Sequence, residues 1–151
     1  MTTSALTETE IARRIAESFG KQSFMTTLGA RLTHVAAGEV EIDLPIAAHV
    51  SQQHGFVHAG AVASIADSAC GYAALTLMPP GAGVLTAEFK INLLAPAAGE
   101  RLVAKGRVVK AGRTLTLALA EVFAVSDGRE KLCAMMTATC MAISGREGVS
   151  D

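Results

Sequence analysis

Residues 58–81 read HAGAVASIADSACGYAALTLMPPG. From about His58 to Leu77 the stretch is apolar nearly all round, as in a helix buried on several sides, and Pro79-Pro80-Gly81 stops it. Its Ala, Gly and Ser residues let a sheet approach closely. Ala59 to Met78 is also the nearest thing to a membrane span in the chain. However, Asp67 stands at its middle and no Lys or Arg flanks it, so it reads as a buried helix of a soluble domain.

Ahead of this helix, Thr7 to Phe19 reads as a short amphipathic helix, with Ile11, Ile15 and Phe19 at four-residue steps. Leu32 to Ile46 reads as a hairpin turning at Ala37-Gly38. In its second arm Val40, Ile42 and Leu44 alternate with Glu39, Glu41 and Asp43, the pattern of a strand with one wet face. A polar loop, Ser51 to Gly55, leads into the helix. Beyond it an antiparallel meander is expected. Leu85 to Leu93 alternates, with Thr86, Glu88, Lys90 and Asn92 as its polar set. Arg101 to Lys110, Thr114 to Val125 and Lys131 to Ile143 follow, with turns at Ala111-Gly112-Arg113 and Asp127-Gly128. Short loops predict antiparallel pairing of consecutive strands. The result is an α+β fold, one curved sheet wrapped around a single central helix. Such a unit leaves sheet edges and an apolar flank open, and a symmetric dimer is the expected remedy. The expected division is an N-terminal helix and lead-in over 1–25, the main domain over 26–145 and a disordered tail over 146–151.

Composition narrows the function. A chain of 151 residues suits one domain and buries roughly 70% of its unfolded surface without staples. Thirteen Lys and Arg balance fourteen Asp and Glu, and aromatics are only 4%, which argues against a nucleic-acid partner. Cys70, Cys133 and Cys140 are an odd set without a CxxC pair, as for reduced thiols in a cytoplasm. The first twenty residues lack the uncharged apolar core of a signal peptide. His49, His54 and His58 have no Cys or carboxylate near in sequence to complete a ligand set, so no metal is expected. No GxSxG, GxGxxG or P-loop occurs.

Three features carry chemistry. Between Asp43 and Glu88 the only Asp, Glu, Lys or Arg is Asp67. A carboxylate in a buried helix is costly unless partnered. It is either a structural group bonded to neighbouring backbone or a functional one, and the small Ala63, Ser64, Cys70 and Gly71 leave room beside it for something other than a side chain. Second, Ala59 and Gly60 fall in the first helical turn, behind the loop Gln52 to His58. There backbone N–H groups lack intrahelical partners and can hold an oxyanion or polarise a carbonyl, although the glycines would equally serve a tight loop and His58 an ordinary near-cap position. Third, Arg101, Lys105, Arg107, Lys110 and Arg113 make a run without an acid, and Gly112 offers turn N–H groups. The run is either a solvated strand face or a site for an anionic ligand.

The stretches HGFVHAGAVASIADSACGYAA, LTAEFKINLLAPAAGE and RVVKAGRTL together resemble the hotdog-fold acyl-CoA thioesterases of the phenylacetic-acid-degradation type, from about Leu28 to Ile143. The resemblance implies the fold described above, a homodimer commonly paired into a dimer of dimers, and an acyl-CoA substrate. Coenzyme A then belongs to the substrate and no separate cofactor is needed. It implies that Asp67 is general base or nucleophile, that the backbone amide of Ala59, beside Gly60, polarises the thioester carbonyl, and that Thr86 holds the attacking water. Gln52 takes the orienting role usually given to Asn, and Ala59-Gly60 stands where Gly-Gly is usual. The resemblance brings the loop of one subunit against Asp67 and Thr86 of the other. His58, Lys90, Lys110, Gly112 and Arg113 are the expected substrate-binding residues, the basic ones meeting the coenzyme A phosphates. Two rival readings remain. One is a hydroxyacyl-thioester dehydratase of the same fold, pairing His54 with Asp67, although its Pro-rich loop is replaced here by HGFVHAG. The other is a non-catalytic acyl-CoA-binding module.

Overall fold

The computed structural model describes residues 6–151; residues 1–5 of the expected lead-in lie outside the described residues. Two helices, α1 (Glu8–Gly20) and α2 (Ser23–Leu28), precede the hairpin β1 (Arg31–Ala36) and β2 (Glu39–Pro45). The long helix α3 (Ala59–Leu75) comes next, and then β3 (Gly83–Leu93), β4 (Arg101–Lys110), β5 (Leu115–Ser126) and β6 (Arg129–Ile143). Thr7 and Glu10 form a reciprocal capping box that starts α1, and Ile11 and Ile15 are its buried residues. The short α2 was not expected from the sequence. It ends in Gly29, whose φ of 80° gives the left-handed cap that returns the chain to extended structure.

All six strands form one antiparallel sheet wrapped around α3, in the order β1-β2-β4-β5-β6-β3. This is the hotdog architecture. Val40, Ile42, Leu44, Leu102, Ala104, Ala118, Ala120, Val122, Ala134, Met136 and Ala138 alternate inward and are buried, and every residue of α3 from Ala69 to Leu75 is buried with them. The helix approaches so closely that a Cβ on Gly106 of β4 would overlap the carbonyl of Ala69. No described helix is long and apolar enough to cross a membrane.

The meander needs one correction. β3 does not pair with β4; it pairs with β6 and occupies an edge, while β4 lies between β2 and β5. Burial explains the order. Leu102-Val103-Ala104 is a continuous buried run, which suits a central strand, whereas most of β3 is exposed and tolerates an edge. The loop 94–100 makes the crossing. Its Leu94 N–H donates to the Cys133 carbonyl (2.8 Å), and its Ala97 carbonyl accepts from Val57 N–H (2.9 Å).

The far end of α3 is held by Arg14 of α1. Its guanidinium donates to the carbonyls of Leu75 (3.2 Å), Met78 (2.8 Å), Pro79 (2.9 Å) and Ala82 (3.1 Å) and pairs with the Asp151 carboxylate. A cation at a helix C-terminus satisfies carbonyls that lack intrahelical partners. Residues 146–151, expected as a disordered tail, turn back over the start of β3 in this structure, with Val149 against Gly83.

Candidate active site

Asp67 lies midway along α3, half-buried. Its Oδ1 accepts a hydrogen bond from Thr86 Oγ1 at 2.7 Å. Regular alternation would place Thr86 on one face with Glu88, Lys90 and Asn92. Instead the β3–β6 register slips between Thr86 and Glu88, leaving Ala87 as a bulge. Thr86 therefore sits opposite inward-facing Cys140, while Glu88 and Lys90 sit opposite Thr139 and Thr137 on the outer face. A bulge re-aims a side chain by shifting the pleat by one residue. It turns Thr86 toward Asp67 and sends Lys90, an expected substrate-binding residue, to the other side of the sheet.

Two buried thiols flank the carboxylate. Burial, then the charge of Asp67, pushes the Cys140 thiol up to about 11, with a hydrogen bond from Thr86 acting the other way. Cys70 is pushed up further by burial, Cys140 and Asp67. Both are protonated near neutrality, so neither is a thiolate nucleophile. Asp67 and Thr86 open into a cavity of about 620 Å³ whose wall also includes Ser18, Lys21, Gln22, Ser68 and Tyr72.

The helix start forms a second, separate cavity of about 620 Å³, lined by Gln52, His54, Phe56, His58, Ala59 and the end of β3 at Leu93. His58 is the N-cap, and its Nδ1 accepts from Gly60 N–H at 2.8 Å. The N–H groups of Ala61 and Val62 donate to the His58 carbonyl. Among the described residues no acceptor is bonded to Ala59 N–H, which makes it the open donor of the first turn. Gln52 is half-buried, and its Oε1 accepts from His54 N–H. Of the expected site residues, then, Asp67 with Thr86 form one cluster, and Gln52, His58 and Ala59 form another. Gly60 has its N–H committed to the cap.

The two clusters do not meet within the chain. Asp67 lies eight helical steps beyond Ala59, which is about 12 Å along a helix axis. Lys110, Gly112 and Arg113 form the exposed β4–β5 turn. It sits at the end of the sheet where β3 begins, because the Thr114 carbonyl accepts from Ala142 N–H and Ala142 pairs with Val84. Gly112 is required there, since a Cβ would overlap the Leu115 carbonyl. Lys90, Lys110 and Arg113 line neither cavity and, among the described residues, form no ion pair.

Sequence reasoning missed Arg14 and the contribution to the Asp67 cavity of Ser18, on α1, and Gln22, at the start of α2. One signal was available for Arg14, which stands beside Ile15 on the apolar stripe of α1. Nothing in the sequence marks Ser18 or Gln22.

The sequence profile of the thioesterase superfamily matches residues 54–131, more than half of the chain. The chain belongs to the thioesterase superfamily. This thioesterase is 51% identical to a thioesterase family protein from Silicibacter pomeroyi; the match covers 89% of this chain and 99% of that one, with a TM-score of 0.87. The E. coli PaaI protein from the phenylacetic acid degradation operon shares its fold, with a TM-score of 0.81 at 21% identity over 91% of this chain and 96% of the other. A Halobacterium salinarum protein described as an esterase is 29% identical over 108 residues, 68% of this chain and 71% of its own. The thioesterase is thus a hydrolase of the hotdog fold, and thioester hydrolysis is its general chemistry.

Proposed function

We propose that this thioesterase hydrolyses aryl-acyl or medium-chain acyl-CoA thioesters at a site completed by a second copy of the chain. The observation that carries this is the split of the catalytic groups. The open Ala59 N–H and the Asp67–Thr86 pair lie in different cavities, at opposite ends of the same edge strand. Thr86 and Leu93 are seven residues apart on β3, roughly 23 Å at strand spacing. Pairing two β3 edges antiparallel about a two-fold axis sets the Thr86 end of one copy beside the Leu93 end of the other. The exposed Phe89 and Leu93, at 46% and 55%, are the apolar side chains such pairing would cover. On the outer face Leu85, Met141 and Leu115 form a cross-strand row, with Leu85 and Leu115 exposed, a surface suited to joining two dimers.

In this composite site the Ala59 N–H of one copy polarises the thioester carbonyl, and Asp67 of the other activates water held by Thr86, or attacks directly. The water route adds hydroxide to the carbonyl carbon and moves the proton to Asp67. Collapse of the tetrahedral oxyanion breaks the C–S bond, and the proton passes to the departing coenzyme A thiolate. One preorganised oxyanion donor supplies ~3–4 kcal/mol, and a positioned base a hundredfold or more. Gln52 orients the thioester, with His58 beside it at the cavity wall. Lys110 and Arg113, which among the described residues form no ion pair, meet the phosphates, and Gly112 N–H groups add to them. Coenzyme A is part of the substrate, and the chemistry calls for no further cofactor.

The test is free-thiol release from a panel of acyl- and aryl-acyl-CoAs, comparing wild type with Asp67→Asn. Release by wild type, lost at least about a hundredfold in a variant that still folds and assembles, supports the proposal. Loss of assembly in the variant would make Asp67 structural. No thiol from any wild-type reaction contradicts the reading, and formation of an enoyl product would favour a dehydratase.

A further inference from the structure

The cavity around Asp67 is closed on one side by Gly148, Val149, Ser150 and Asp151, a segment far from it in sequence. Two contacts fix the segment there. A Cβ on Gly83 would stand 2.7 Å from Val149 Cγ1, 3.3 Å from the Val149 carbonyl carbon and 3.4 Å from Ser150 N. The backbone of 149–150 is therefore seated in the space that a side chain at 83 would fill. Asp151 is paired with Arg14, whose side chain is only 9% exposed and is itself held by four carbonyls. The segment is anchored to the start of β3 through residues 149–150 and to α1 through Asp151, and Val149 forms part of the cavity wall.

The charge of the cavity decides what it holds. Asp151 is neutralised by Arg14, and Asp67 and Lys21 offset each other, so the cavity has no surplus positive charge to hold phosphates, while Tyr72, Leu75, Val84 and Val149 supply apolar wall. The geometry points to Gly148–Asp151 as the wall that limits the length of the acyl group, with Val149 the specificity-determining residue and the Arg14–Asp151 pair its anchor. This inference rests on the hydrolysis proposed above.

Thiol release from straight-chain acyl-CoAs, acetyl to dodecanoyl, tests it, with Asp67→Asn as the catalytic control. The readout is the ratio of kcat/KM for long over short acyl groups. Val149→Gly raises that ratio about tenfold and Val149→Phe lowers it about tenfold, the scale of one or two methylenes in an apolar pocket. Asp151→Asn, which loosens the anchor, shifts the ratio in the same direction as Val149→Gly. Ratios within about twofold of wild type in all three variants overturn the inference, even if every rate falls together, because a uniform fall marks a structural role. Wild-type hydrolysis with unresponsive ratios overturns the inference alone. Absence of wild-type thiol release overturns both it and the proposed function.

Discussion

Asp67 is the one Asp, Glu, Lys or Arg between Asp43 and Glu88, and among the described residues its one side-chain hydrogen-bond partner is Thr86. Its surroundings are apolar enough to hold Cys140 and Cys70 in their thiol forms. That environment has a measurable consequence for stability. Below the ordinary thiol value of 9.0 both folded and unfolded chains keep these protons. Between 9.0 and about 11 the unfolded chain releases a proton that folded Cys140 retains, so ionisation draws the protein toward the unfolded state. The expected melting temperature is insensitive to these groups up to pH 9 and declines above it; a Cys70→Ala, Cys140→Ala variant declines less steeply. Equal slopes would contradict the environment described. At this scale the sequence discloses Asp67 through its isolation in an apolar stretch. It does not disclose that Gly60 N–H is spent on His58, because capping depends on a side-chain rotamer rather than on residue type.

At the scale of elements, the proposed chemistry is divided along α3, half at its first residue and half at its middle. Ala59 is the first helical position, where proline fits the helix and removes only an N–H that makes no intrahelical bond. Ala59→Pro should therefore keep the fold and lose about 10²- to 10³-fold in kcat, whereas Ala59→Gly should stay within a few-fold of wild type. Circular dichroism and thiol release on the same samples check both. Arg14 is the matching device at the other end. Replacing it with Met leaves the carbonyls of Leu75, Met78, Pro79 and Ala82 without their charged donor and should lower urea-denaturation stability by about 2–4 kcal/mol. Most strand limits were legible from alternation and turn residues, since each needs only local pattern. The bulge at Ala87 was not: Thr86, Glu88, Lys90 and Asn92 alternate without a break, and only the pairing with β6 reveals the slip. The place of β3 was hidden for a related reason, because sequence adjacency to β4 is outweighed by burial of Leu102-Val103-Ala104 in the sheet centre.

For the whole molecule, the proposed function makes each chain the holder of two half-sites. In the proposed assembly a two-fold axis beside β3 converts them into two complete sites, each taking Ala59 from one copy and Asp67 from the other. The open sheet edges and apolar flank already suggested a partner, while the pairing of particular residues across it came from the family resemblance rather than from pattern. Mixed assemblies test the arrangement most directly. Asp67→Asn and Ala59→Pro chains, each inactive alone, are co-expressed in equal amounts and the purified mixture is assayed for thiol release. Every mixed dimer then contains one doubly damaged site and one intact site, so about a quarter of wild-type activity returns under random two-fold pairing. A mixture that contains mixed dimers and releases no more thiol than its separate parts would place both groups in the same chain and contradict the shared site.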